Sequence, residues 1–587
     1  MKQLLILFAG VAGLFTSVAQ TPTAFVKVGD GDDKVQEFFP GEHRGRPVLG
    51  DYTNAGKMGL FSGGQDLGGS TGWYADPRWG DLGDGTFANP VLNADYSDPD
   101  VIRVGDKYYM TCSEFHFMGM PVLESDDMVN WRIIARVHDS INFPGFSDMQ
   151  KYGGGTWAPA LRYHDGEFRI YVCMPHEGLF VTTATDPAGE WSELYQIKDI
   201  YGWEDPCPLW DDNGDAYLGR SQLGGGPIYI HKMSPDGKTL LDDGQKIYEG
   251  PTAEGTKLFK KDGYYYLSIP EGGVGTGWQT VLRSKNIYGP YEGKRVLETG
   301  STKINGPHQG ALVDTPDGEW WFYHFQSTPV LGRVVHLQPV KWEDGFPVIG
   351  EDYDLNGVGE PMKICRKPST GVSAPPSAPR TSDSFDDNTL GIQWQFNHNP
   401  VMENITFSDG RLNLVSMKAD KLKNARNQLT QKLMGFSGSV VTLLDCNGMS
   451  AGDCAGIESA GSRHLGIGVT VTNVGGTPVK YLYIDNNGSI GNKKLLPTAA
   501  DGRVYLMYEY DTDSNRHTFS YSTDGENFHT LGDTFENSEG DWKGVRTGLF
   551  HYNVYDDEKY PCGTASFDFF EYLTDGPATV ASQTDIR

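Results

Sequence analysis

Three acidic residues stand at the openings of similar-looking segments: Asp98 in YSDPDVIR, Asp205 in GWEDPCPLW and Glu254 in AEGTKLF. Taken singly, acids at strand starts are ordinary cap residues, and Asp-Pro often marks a turn. Three that converged would be a catalytic set. One carboxylic acid can protonate the oxygen that leaves a sugar, while a carboxylate activates water or attacks the anomeric carbon. A third acid can hold the proton donor protonated by like-charge repulsion. Hydrolysis of a glycosidic bond is the chemistry such a trio would perform.

The flanking residues suit a sugar. Trp157, Trp203, Trp278, Phe115 and Phe117 offer flat apolar faces near the same segments, although packing between strands is the competing use. His308 in GPHQG and Arg333 in LGRVVHL lie just before and just after the last of these segments. Each could bond a sugar hydroxyl or serve the fold alone.

A repeated unit is what would bring the acids together. Five segments each run from an apolar strand through a tight turn into an aromatic strand: 98–112, 158–173, 205–220, 254–269 and 310–325. Gly105, Gly166, Gly214, Gly263 and Gly318 sit at the turns, a hairpin signature. A third strand follows each hairpin, and the units begin at intervals of 60, 47, 49 and 56 residues. That length suits four-stranded blades, so the sequence predicts a five-bladed β-propeller over 89–350, with first strands nearest the central funnel.

Residues 351–383 read as a linker region, with PSTGVSAPPSAPR (368–380) unable to build a core. Beyond it, 384–587 alternates without helical period in LNLVSM, SGSVVTLL, HLGIGVTVTNV, VKYLYIDNN and RVYLMYEY, and TASFDFFEYL supplies a closing strand. This predicts a β-sandwich, so the fold class is all-β throughout. Residues 20–88 form a Gly- and Asp-rich N-terminal extension with no assigned function. Residues 1–19, MKQLLILFAGVAGLFTSVA, read as a secretory signal peptide, which implies a periplasmic or secreted protein.

A net charge of −28 over 587 residues, with no basic stripe, argues against nucleic acid or an anionic membrane as partner. A neutral sugar is indifferent to it. No segment is long and apolar enough to span a membrane. Seven cysteines make no disulfide framework, and no zinc-type spacing occurs. Cys446 and Cys454 could either bridge across a short loop or stay free.

These motifs together resemble glycoside hydrolase family 43, in the branch of β-xylosidases and α-L-arabinofuranosidases with a C-terminal concanavalin A-like jelly roll. NPVLNADYSDPDVIRVGDKYYM (89–110), GWEDPCPLWDDNGDAYL (202–218) and TAEGTKLFKKDGYYYL (252–267) carry the resemblance, supported by TWAPALRY and LGRVVHLQPVKW. It implies Asp98 as general base, Asp205 as the acid that tunes the donor, and Glu254 as general acid. Thr256 replaces the usual Pro after Glu-Gly, and Ala160 replaces the acid of the WAPD variant. Arg333 would contact the sugar at the non-reducing end. His308 matches a central-channel histidine that in some relatives helps bind calcium or another ion, so a structural calcium is an implication, with no cofactor needed for chemistry. Trp157 and Phe115 would line the substrate site.

An inverting mechanism is implied, with the two carboxyls about 6.5–9.5 Å apart to admit water. The expected activity is exo-acting release of xylose from β-xylosides and xylo-oligosaccharides. The alternative is an α-L-arabinofuranosidase acting on hemicellulose side chains, with galactanase activity further off. A non-catalytic carbohydrate-binding propeller would share the aromatic faces without needing three acids, and an adhesion protein would bind no sugar. Oligomeric state is not legible in the sequence. The resemblance also implies that the C-terminal domain lends a side chain to the pocket, without identifying it.

Overall fold

A computed structural model describes residues 36–37, 79–116, 119–377, 380–555 and 561–574. The signal segment 1–19 and nearly all of the N-terminal extension before Trp79 lie outside the described residues, as does Phe117. Gln36–Glu37 adds an edge strand to the C-terminal domain. Helical structure in the described residues amounts to three 3-10 turns, Met402–Asn404, Leu422–Asn424 and Thr498–Ala500.

The five hairpins fold where the turn chemistry places them. Gly105, Gly166, Gly214, Gly263 and Gly318 all have positive φ, and Asp165 and Asp262 join their glycines in the left-handed region that tight hairpin turns require. Each hairpin extends into a four-stranded antiparallel sheet with strands in chain order. Blade 1 comprises Asp100–Val104, Lys107–Thr111, Pro121–Ser125 and Arg132–Arg136. The later blades open with Trp157–His164, Trp203–Trp210, Lys257–Lys261 and Leu312–Asp314.

First strands of blades 1 and 2, 2 and 3, 3 and 4, and 5 and 1 are neighbours, so they surround the axis. Blades 4 and 5 meet through their outer strands Glu292–Leu297 and Phe346–Ile349. Apolar clusters fill the seams between adjacent blades, for example Val122 and Ile170 between blades 1 and 2, and Val281 and Phe322 between blades 4 and 5.

The C-terminal domain is a sandwich of two eight-stranded sheets. One centres on Ser437–Asp445 and Thr564–Thr574, the other on Asp453–Ala460 and Arg546–Asn553. Its core is continuous with the seam between blades 5 and 1, where Leu92, Val335, Met434 and Val545 belong to one cluster. Backbone bonds reinforce this join, with Val545 N–H donating to Val330 O at 2.9 Å.

The segment expected to be a plain linker is tied down along the propeller. Ile364–Arg366 pair with Thr86–Ala88, and Lys367 Nζ reaches Asp81 and Asp127, each at 2.7 Å. Ser377 bonds both Trp79 and Asn130 through its backbone. Lacking large apolar side chains, the stretch forms no core of its own, but its polar groups bond blade 1 and, through Ser369 to Asp317 and Glu319, blade 5. The Cys446–Cys454 bridge does not form. Both thiols are free and buried, donating to Gly502 O and Thr470 Oγ1.

Candidate active site

The segment before blade 1 is laid against blade 5 and delivers Asp98 to the funnel. Asn89 clamps Leu337 through its side chain, accepting from its N–H at 2.8 Å and donating to its carbonyl at 2.9 Å. Leu92 pairs with Val335, Tyr96 N–H donates to Arg333 O, and Arg333 N–H donates to Asp95 Oδ1. NPVLNADYSDPD is therefore largely a splice, and its end puts Asp98 beside Arg333. The guanidinium donates to Asp98 Oδ1 at 3.0 Å and to Ser97 Oγ at 2.8 Å. Ser97 and Ser113 hydroxyls donate to Asp98 Oδ2 at 2.9 and 2.5 Å.

Asp98 has φ of 55°, in the left-handed region. The same conformation recurs once in every blade, at Ala158, Asp205, Gly255 and Gln309. Left-handed non-glycine residues are uncommon and concentrate at functional sites. Register shifts between Trp157 and Ala160, and between Glu204 and Cys207, mark bulges at two of these positions. Bulges re-aim side chains beside active sites.

This repeat corrects the alignment of the acids. Asp98 and Asp205 are equivalent, but Glu254 stands one residue earlier, before Gly255. Its equivalents are Ser97, Trp157, His308 and, in blade 3, Glu204. Sequence reasoning missed Glu204, although aligning Glu254 one residue before the left-handed position would have found it.

The three expected acids do converge on one cavity of about 750 Å³, together with Glu204, Arg333, Phe115, Trp157 and Gln309. A volume of that order accommodates a small sugar. Asp205 is buried and accepts from Ser221 Oγ, from Gly255 N–H at 2.7 Å and from Gln309 Nε2 at 3.5 Å. Burial raises its pKa, opposed by the Ser221 and Gly255 donors. Burial, then Asp205 and Asp98, pushes Glu254 up to about 8, with Arg333 opposing. Glu204 is likewise pushed up to about 8 by burial, then by Asp205 and Glu254. The pocket thus presents one carboxylate held by a cation and two hydroxyls, facing carboxyls biased toward their neutral form.

Other expected contacts fall elsewhere. Trp203 stacks on Arg220 and His231, and Trp278 bonds Glu271 and Thr280, so both serve the fold outside the cavity. His308 has no exposed surface, so it cannot touch a sugar hydroxyl in this conformation. It packs on Phe325 and bonds Gly306 O through Nδ1. Burial pushes it down to about 4, so it is neutral, and Nε2 has no hydrogen-bond partner. That is one nitrogen donor, whereas calcium takes six to eight oxygens. No cluster of three or more His, Cys, Asp or Glu able to hold a metal occurs among the described residues. The side chains present do not fit a calcium cage.

The side chain lent by the C-terminal domain is Trp542. Gly540 and Lys543 exchange backbone hydrogen bonds around Asp541 and Trp542, both left-handed. His116 Nε2 donates to Asp541 O at 2.6 Å, pinning this tight turn to blade 1. The Trp542 ring lies 5.1 Å from Trp157 and 6.4 Å from Phe115, completing an aromatic wall. Nothing in the repeat pointed to it, since it lies outside the propeller sequence.

Two family models match the chain: glycosyl hydrolases family 43 over 87–347, and the β-xylosidase C-terminal concanavalin A-like domain over 382–573. It is 52% identical over 472 residues to a putative β-xylosidase of Xylanibacter ruminicola, covering 80% of this chain and 87% of that one. It is 36% identical over 559 residues to a β-xylosidase of Formosa agariphila, covering 85% and 92%. Among solved structures, a xylan β-1,4-xylosidase of Bacillus halodurans superposes with a TM-score of 0.72 at 25% identity, covering 83% of this chain and 99% of that one.

Proposed function

The chain belongs to glycosyl hydrolases family 43 and is a glycoside hydrolase, and from that premise we propose that it is an inverting, exo-acting β-xylosidase. The observation that carries the mechanism is the contrast in partners of two carboxyls lining one cavity. Asp98 is held by Arg333, and Glu254 is pushed up to about 8. A carboxylate offers about four lone-pair sites, and Asp98 spends three on Arg333, Ser97 and Ser113, which leaves one for a water. Asp98 takes the proton of that water as it attacks the anomeric carbon, and Glu254 gives its proton to the leaving oxygen. Asp205 keeps Glu254 protonated by repulsion, while Ser221, Gly255 and Gln309 hold Asp205 in place.

Xylose as the released sugar is supported by the names of the two relatives, and exo action by Trp542 walling one side of the cavity. Export is part of the same reading and rests on residues 1–19; mature protein whose N-terminal sequence still begins at Met1 would refute it. The activity is tested with nitrophenyl β-D-xyloside, α-L-arabinofuranoside and β-D-galactoside, following the product anomer by NMR. The xyloside should be cleaved fastest, giving α-xylose first. Preference for the arabinofuranoside would overturn the substrate, and initial release of β-xylose would overturn inversion.

A further inference from the structure

Glu204 is the acid the mechanism leaves unused. It occupies in blade 3 the position that Glu254 holds in blade 4, one residue before the left-handed turn of the inner strand. Only 8% exposed, it nevertheless lines the cavity. Its carboxyl accepts from Gly224 N–H, and it forms no ion pair among the described residues. Much of its hydrogen-bonding capacity is therefore unspent. A buried carboxyl in that condition is costly unless something polar occupies the cavity beside it.

Its place in the ring says which part of the substrate it meets. Arg333 and Asp98 meet at the seam between blades 5 and 1, and in a ring of five blade 3 lies two steps from each. Passing from Asp98 across the sugar to Glu254 reaches the leaving oxygen. Glu204 stands on the blade next to that of Glu254 and feels the charge of Glu254 more strongly than that of Asp98, so it lies on the donor's side of the cavity. Tyr201 and His176 line the same side, with rings 5.4 Å apart, and Tyr201 is 64% exposed at the rim. A buried polar group and exposed aromatic rings lining one cavity are what a second sugar ring needs to be gripped.

We propose that Glu204 is a specificity-determining residue that binds a hydroxyl of the leaving-group sugar, so that the site favours a saccharide over an apolar group on the departing side. This rests on the hydrolase reading above. Burial and the neighbouring acids keep Glu204 neutral below about pH 8, and a neutral carboxyl both donates and accepts, as a sugar hydroxyl does.

The test compares wild type, Glu204→Ala and Glu204→Gln on xylobiose, 4-nitrophenyl β-D-xyloside and phenyl β-D-xyloside. For Glu204→Ala, kcat/KM on xylobiose should fall about tenfold, mainly through KM, on the order expected for one lost hydrogen bond. Both aryl xylosides should lose less than threefold, and by the same factor. Glu204→Gln, which keeps a donor and an acceptor, should recover part of the xylobiose loss and covers the case of an unfolded alanine variant. An equal fall on all three substrates would mean a structural role and overturn the proposal. A fall that is larger for phenyl than for nitrophenyl xyloside, with loss of the basic limb of the pH profile, would make Glu204 a proton donor and overturn it too. Wild type inactive on every xyloside would instead sink the substrate reading. The same comparison, run with arabinobiose and aryl arabinofuranosides, would then decide the role of Glu204.

Discussion

Two groups of acids withdrawn from solvent, one in the funnel and one at the domain seam, are handled in opposite ways. In the funnel, Glu254 and Glu204 face other acids and are pushed up to about 8. At the seam, Glu114 is more deeply buried, and burial alone would raise it. Lys432 at 2.8 Å, Arg546 at 2.9 Å and Arg136 at 3.9 Å outweigh that and lower it. Burial is common to both, so the neighbours decide. An acid ringed by cations becomes a fixed charge that joins the propeller to the sandwich. An acid beside other acids is held toward its neutral form, which at Glu254 makes a proton donor.

The same substitution should therefore do opposite things in the two places. Glu254→Gln removes the donor, and kcat on xylobiose should fall about 10³-fold, within the range general acids contribute. Folding stability should stay level or rise, because a desolvated acid among acids is lost. A fall in the denaturation midpoint comparable with the loss of activity would break the comparison on this side.

Glu114→Gln should behave the other way. Lys432 and Arg546 are nearly inaccessible, and removing the carboxylate they share leaves two buried positive charges without that counter-charge. Breaking a buried pair costs about 3–5 kcal/mol. Denaturant titration should show that loss, while kcat per folded molecule stays within about threefold, since Glu114 does not line the cavity. A variant as stable as wild type would reduce the seam network to ornament.

How much of this was legible in the sequence follows from the range of each interaction. The hairpins were readable because Asp-Gly and similar turns act locally, and a third strand, Pro121–Ser125 in blade 1, follows the first hairpin as the pattern required. The two family signatures for Asp98 and Asp205 were also local. The offset of Glu254 was not, because only the backbone conformation shows that the left-handed position of blade 4 is Gly255, one residue after the acid. For His308 the sequence left a sugar contact and a role in the fold both open, and its burial against Phe325 decides between them. Trp542 and the Glu114 network depend on residues hundreds of positions apart, where no periodicity connects them.

Asp205→Asn probes the funnel's side of the comparison most finely, because it changes a neighbour and leaves the donor in place. The donor works only while protonated, so activity is present below its pKa and lost as pH rises through it. In wild type the basic limb should lie near pH 8, where burial, then Asp205 and Asp98, have pushed Glu254. Deleting the Asp205 charge removes the largest like-charge contribution, so the limb should move to lower pH. Burial and Asp98 remain, and they should keep it above the ordinary carboxylate range. The amide oxygen of the substituted side chain can still accept from Gly255 N–H, as Asp205 does at 2.7 Å, which keeps the strand start in place. At the plateau the loss should be modest, about tenfold. A basic limb that stays at pH 8 would mean that Asp205 does not tune Glu254, and that burial alone makes the funnel's acid a donor.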